Sequence, residues 1–186
     1  MDTSQLFLTW TPDALTAGAG LLVVRLVLGL TLAAHGAQKI LGWFGGYGIA
    51  GTGGFFEQIG FRPGRLFAAT AGLTELAGGL LVALGLLGPV GPALIVSVMI
   101  VAMASVHWRN GFFMATSGIE YTLVNAAGAV ALGLVGPGVF SLDALLGLES
   151  LWAPRVAWAI LAAGIVGAVL NLAARRTAPA ESAVAR

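Results

Sequence analysis

The side chains able to do chemistry in this chain are few: Arg25, His35, Lys39, Glu75, His107 and Glu120 are ionisable groups set in a strongly apolar sequence. At 100° per residue, Arg25, Gly29, Leu32, His35, Gly36 and Lys39 share one helical face about 120° wide. Glu75 lies about 14 Å from the nearer polar end of its own apolar run, at 1.5 Å per residue. A charge left unpaired at that depth in hydrocarbon costs on the order of 3 kcal/mol or more. Its carboxylate therefore needs the interior of a bundle, water or a cationic partner. The face around it, Ala68, Ala71, Gly72, Gly78, Gly79 and Val82, is small enough for a neighbouring helix to press close and supply one.

The chemistry this set supports is acid–base. Glu75 and His35 are the candidate proton-handling pair, and Arg25, Lys39, His107 and Glu120 are candidate ligand contacts, with Arg109 and Tyr121 at similar depth. Imidazole exchanges its proton near neutral pH and a carboxylate can take one up. A structural alternative stays open, in which Glu75 is protonated or paired to Arg25 only to fix helix register. Lys39, near the end of its run, can also snorkel to the membrane surface. Metal chemistry fits poorly, because two histidines on different helices leave zinc short of ligands and nothing fixes their rings for haem. No metal ligands are assigned.

Several motifs carry no weight. The run Gly46-Tyr47-Gly48-Ile49-Ala50-Gly51 spells a dinucleotide fingerprint. That motif works only where a strand feeds a turn into a helix N-terminus. Here it follows an apolar run and reads as a flexible juxtamembrane connection. No Ser-His-Asp order, phosphate loop or HExxH is present. The absence of cysteine removes disulfides, thiolate nucleophiles and iron–sulfur clusters.

The elements that must position these groups are membrane helices. Of the 186 residues, 58% are apolar and 9% charged, and mean hydropathy is +0.94. A water-soluble globule is excluded, and a net charge of +1 is too small for a nucleic-acid footprint. Five runs approach the roughly 20 residues a helical span needs, near 19–40, 66–87, 90–106, 119–135 and 154–174. Gly88-Pro89-Val90-Gly91-Pro92 reads as a tight turn between the second and third. The first run holds Arg25 and has no small-residue cleavage site, so no removable signal peptide is expected.

With five spans, Lys39, Arg62, Arg65, Arg109, Arg175, Arg176 and Arg186 fall on one side. Arg155 stands on the other beside Asp2, Asp13, Asp143 and Glu149. This asymmetry predicts an N-terminus outside and a C-terminus in the cytoplasm. The expected organisation is an external tail over 1–18, a four-helix domain over 19–147, an additional span within 148–174 and a disordered tail over 175–186. Two loops read as interfacial anchors. One is a short helix capped by Thr52, with Phe55, Phe56 and Ile59 inward and Glu57 and Gln58 outward. The other carries Phe140, Leu142, Leu145, Leu146, Leu148 and Trp152.

Three groups of residues in order, Arg25…Gly29…His35-Gly36…Lys39 with Gly42, then Glu75-Leu76-Ala77-Gly78-Gly79-Leu80-Leu81 with Leu84-Gly85-Leu86, then His107-x3-Gly111-Phe112…Gly118-Ile119-Glu120, resemble the DoxX family of small bacterial membrane proteins. The resemblance runs over about 21–147 and takes in Gly136-Pro137-Gly138 and Ser141-Leu142-Asp143. It implies an all-α integral membrane protein with a four-helix bundle, to which a fifth C-terminal transmembrane helix is added here. It also implies the bacterial inner membrane and association with redox partners.

Three functions compete. The first is a quinone- or redox-associated subunit, in which Glu75 and His35 handle protons, Arg25 or Lys39 polarises a carbonyl and a partner protein supplies electrons. The second is a small carrier or channel lined by Glu75 and the histidines, with its path formed in a homo-oligomer. The third is a scaffold using small-residue faces such as Ala163-x3-Gly167 and Gly164-x3-Ala168. The lipid bilayer is a partner in all three.

Overall fold

The computed structural model describes residues 13–176. Asp2, Arg186 and the tail from 177 onward lie outside the described residues, so the expectation of a disordered tail cannot be placed there. Asp13 opens the first helix, α1 (Ala14–Leu41), by accepting the Thr16 N–H at 2.7 Å. That bond holds its carboxyl below the ordinary aspartate range. The first helix thus begins inside the segment read as a tail: 14–18 are helical, and Gly18 is buried where a Cβ would strike Val139.

A short helix, α2 (Gly48–Gln58), follows, and then α3 (Gly64–Leu84) and α4 (Val90–Ala102). The last continues through a π turn, Met103–His107, and a 3-10 turn, Trp108–Asn110. Next come α5 (Glu120–Val135), the single-turn α6 (Leu142–Leu146) and α7 (Pro154–Ala173). Helices α1, α3, α7 and the continuous stretch Val90–Asn110 are long and apolar enough to cross a membrane. The remaining apolar helix, α5, has 16 residues, or about 24 Å at 1.5 Å per residue, a little less than the hydrocarbon core. The described residues contain no strand.

Glycine sets the closest approach. A Cβ on Gly29 would lie 2.5 Å from the Gly79 carbonyl oxygen, and one on Gly36 would lie 2.8 Å from the Leu76 Cα. Antiparallel α1 and α3 thus lie backbone to backbone, with Gly29 opposite Gly79 and Gly36 opposite Gly72. In lipid, where apolar burial drives little association, such van der Waals contact is what holds helices together. Helix α4 is the hub, packing on α3, α5 and α7. Its Ile95, Val96 and Met99 form the core with Leu28 and Leu32 of α1, Val82 of α3, Leu132 of α5 and Leu161 of α7. Large apolar side chains such as Val23, Val27, Leu66, Leu73, Val166 and Leu170 point outward, as a lipid-facing surface requires.

Helix α7 is no loose addition. A Cβ on Gly164 would lie 2.5 Å from the Ala93 carbonyl oxygen, and Ala168 is fully buried. The small-residue stripe Gly164-x3-Ala168 is therefore occupied by the chain's own α4, while Ala163 and Gly167 stay exposed. Beyond α7, Arg175 donates from Nε to the Ile59 carbonyl at 2.5 Å, and the Arg176 N–H reaches the Gly60 carbonyl at 2.8 Å. The first two residues of the expected disordered tail are thus docked on the α2–α3 connection.

The loops differ from expectation in detail. Helix α2 begins at Gly48, a turn before Thr52, which is buried inside it instead of capping it. Far from a flexible connection, Gly46 lies against the Gln38 backbone, and Gly48-Ile49-Ala50-Gly51 is the first turn of the helix. Glu57 is exposed, as expected, and its Oε1 also accepts the Gly64 N–H at 3.1 Å and so caps α3. In the second loop, Phe140, Leu145 and Leu146 are exposed as anchors, but Trp152 turns inward to donate to Asp143 at 2.8 Å.

Candidate functional site

Glu75, eleven residues into α3 and 4% exposed, carries the site. Its partner is Lys39, whose Nζ lies 2.5 Å from Oε2. The pairing follows from helix geometry. Side chains lean toward the N-terminus of their own helix. Because α1 and α3 are antiparallel, Lys39 and Glu75 lean toward each other, and the glycine contact at Gly36 and Gly72 brings their stems together. Lys39 therefore turns inward instead of snorkelling to the surface.

For the same reason Arg25 leans away from Glu75, toward the opposite end of the bundle, and the Arg25–Glu75 pair weighed from the sequence is not made. The Arg25 guanidinium, 2% exposed, donates to the carbonyls of Val82 (3.2 Å), Ala83 (3.2 Å), Phe140 (2.9 Å) and Pro137. Val82 and Ala83 belong to the last turn of α3, whose carbonyls have no partner within the helix. Gly85 closes that helix at φ +64, and a Cβ there would lie 2.7 Å from the Arg25 Cζ.

Sequence reasoning gave no role to Asp143. It is fully buried and accepts from the Leu87 N–H at 2.9 Å, the Gly88 N–H at 2.6 Å and Trp152 Nε1. Its signal was present in the Ser141-Leu142-Asp143 run, where Ser141 caps α6. An acid among loop residues gave no indication that its acceptors would be filled by backbone.

A cavity of about 220 Å³ opens beside the ion pair. Glu75 and Lys39 share its wall with Thr74, Ser105, His107 and Asn171, and Phe55, Phe56 and Phe67 supply its aromatic surface. Thr74 and Ser105 donate their hydroxyl protons to carbonyls four residues back, at 2.8 and 2.6 Å, which leaves oxygen lone pairs for a guest. The π turn Met103–His107 delivers Ser105, Val106 and His107 to this wall. Single π turns inside α-helices occur often at functional sites. His107 Nδ1 is 2.7 Å from the Ser117 carbonyl, which orients the ring.

The other predicted residues divide. His35 does not line the cavity but stands behind it, within electrostatic reach of Glu75, with its ring edge-on to Tyr121 at 5.6 Å between centroids. The Tyr121 hydroxyl is buried without a hydrogen-bond partner. Glu120 is drawn off the site altogether, since its Oε2 accepts the Met114 N–H at 2.8 Å and pins the loop before α5. Both histidines lie toward the same end of the bundle, where α1 and the α4 stretch both finish.

No curated protein and no solved structure matches the chain. The DoxX family model matches residues 20–108. That stretch contains Arg25, His35, Lys39, Glu75 and His107, which are the Lys39–Glu75 pair, both histidines and the Arg25 latch described above. The segment 109–147, included in the resemblance read from the sequence, lies beyond the match. Over residues 20–108 the chain is similar to the DoxX family, and with the helices that follow it is a multi-pass α-helical membrane protein.

Proposed function

We propose that the protein binds a lipid-soluble carrier with a hydrogen-bonding ring, a quinone, in the cavity beside Glu75, and that it does so as the membrane subunit of a redox assembly whose partner supplies the electrons. The observation that carries this reading is a Lys39–Glu75 ion pair, with its carboxylate buried, on the wall of an aromatic, partly apolar cavity. At about 220 Å³ the cavity is smaller than the roughly 300–1,000 Å³ of sites that enclose a whole drug-sized ligand. It suits one ring, with the tail left in lipid. The Lys39 ammonium can donate to a ring carbonyl, and Glu75 and His107 are placed to give or take the proton that accompanies reduction. His35, behind Glu75, is the relay to the far side.

The partner, the bacterial inner membrane and the orientation, with N-terminus outside, belong to the same proposal. Charge supports the orientation: Lys39, Arg62, Arg65, Arg109, Arg175 and Arg176 gather at the end where α1 finishes. A reporter fused after Arg186 is expected to be active only in the cytoplasm. For the ligand, the test is the quinone content of purified protein and the rate of quinone reduction in membranes carrying Glu75→Gln. Bound quinone and a reduced rate are expected, and absence of both removes the reading.

A further inference from the structure

A second concavity lies beside the first. It is a groove of about 580 Å³ between the end of α1 and α2, lined by Gln38, Tyr47, Thr52 and Gln58 and floored by glycines of the Gly46–Gly51 run. Lys39 and Phe55 line both the groove and the inner cavity. The groove sits at the head-group end of the bundle, among the exposed aromatic rings of Trp43, Phe44 and Tyr47, a composition typical of the membrane–water interface. Lys39 is thus a partition, with one side of its chain toward Glu75 and the other toward the interface, and its side chain remains 25% exposed.

From this arrangement we infer that the groove is the entrance compartment of the Glu75 cavity. A ligand with a hydrogen-bonding ring, held at the head-group layer by the amides of Gln38 and Gln58 and the hydroxyls of Tyr47 and Thr52, passes between Lys39 and Phe55 to reach Glu75. The ammonium is the door: on Glu75 it closes the partition, and turned to a carbonyl of the arriving ring it opens it. The inference takes the cavity beside Glu75 as the binding site, but access to that cavity can be measured without knowing the ligand.

The structure provides the variants for the test. A Cβ on Gly54, which lines the groove, meets nothing within 4 Å, and the same is true of Gly20 near the other end of α1. Gly54→Trp therefore sets its Cβ in open space and brings an indole to the groove, and Gly20→Trp, whose Cβ is equally unobstructed, is its control. Because the chain has no cysteine, Thr74→Cys places a single thiol on the cavity wall. With the full chain in lipid nanodiscs, the rate at which a water-soluble maleimide modifies this thiol reports access. Gly54→Trp is expected to slow modification several-fold and Gly20→Trp to leave it unchanged.

Equal rates in the two variants, or a thiol that does not react in either the parent or the variants, would overturn the entrance. That result leaves quinone binding to be judged on its own by the content of the purified protein. Lys39→Ala, which shortens the partition, is expected to speed modification, and no change would contradict its role as the door. Should Lys39→Ala fail to fold, the pair of glycine variants still decides the matter.

Discussion

Two buried charges in this membrane domain, Arg25 and Glu75, meet different partners, and single substitutions separate them. Arg25 points at four backbone carbonyls, two of them through fully buried bonds, so replacing it leaves buried acceptors without their donor. Each buried, unpaired acceptor costs about 1–3 kcal/mol. Arg25→Met is expected to lower the unfolding midpoint in detergent by an amount equivalent to about 3 kcal/mol or more. Arg25→Lys should rescue little, since one ammonium cannot reproduce the planar fork. A stable Arg25→Met protein that had lost only ligand binding would contradict the latch. The sequence identified both charges by depth, and helical periodicity put Arg25 and Lys39 on one face. It left open which of them meets Glu75, because a wheel gives angle and not height. The height comes from Gly29 and Gly36 against Gly79 and Gly72, together with the lean of side chains along antiparallel helices. Asp143 was missed because two of its three donors are backbone N–H groups, which leave no residue pattern.

At the scale of elements, the α1–α3 contact should tolerate nothing larger than glycine. Gly36→Ala puts a Cβ 2.8 Å from the Leu76 Cα and is expected to cost about 1–3 kcal/mol, as overpacking generally does. Gly20→Ala, in open space, should be neutral within error. Unfolding of the pair in mixed micelles checks this, and equal midpoints would refute the backbone-to-backbone packing. The small residues on the Glu75 face announced such a contact in advance. The first turn of α1 offers a pH test. The Thr16 bond lowers the Asp13 pKa, so its cap is fully effective above the ordinary aspartate range and is lost as pH falls through the lowered value. Protection of the Thr16 amide, corrected for its intrinsic exchange rate, is expected to disappear in acid and to be absent at all pH values in Asp13→Ala. What the sequence could not give was the length of α1 at its start or the place where α2 begins. Both depend on caps and close contacts instead of hydropathy.

For the whole molecule, the five apolar runs were legible because a bilayer sets their length, and the structure keeps all five with small shifts of their ends. The role of the last was not. Helix α7 closes the core with Leu161 and lends Asn171 to the cavity, and Arg175 and Arg176 bind the Ile59–Gly60 backbone. Truncation before Pro154 is therefore expected to lose ligand binding as well as stability, whereas an optional fifth helix would leave binding intact. Glu75 is the proposed partner of the ligand. The most direct test is an equilibrium titration of the purified protein in nanodiscs, under anaerobic conditions, with a short-tailed quinol, whose hydroxyl can donate to the Glu75 carboxylate, comparing wild type, Glu75→Gln and, as a control away from the cavity, Glu120→Gln. Loss of one charge-assisted hydrogen bond, roughly 1.5–3 kcal/mol, predicts binding weakened about tenfold or more in Glu75→Gln and unchanged in Glu120→Gln. Equal affinity in all three proteins, or none in the wild type, would contradict the claim.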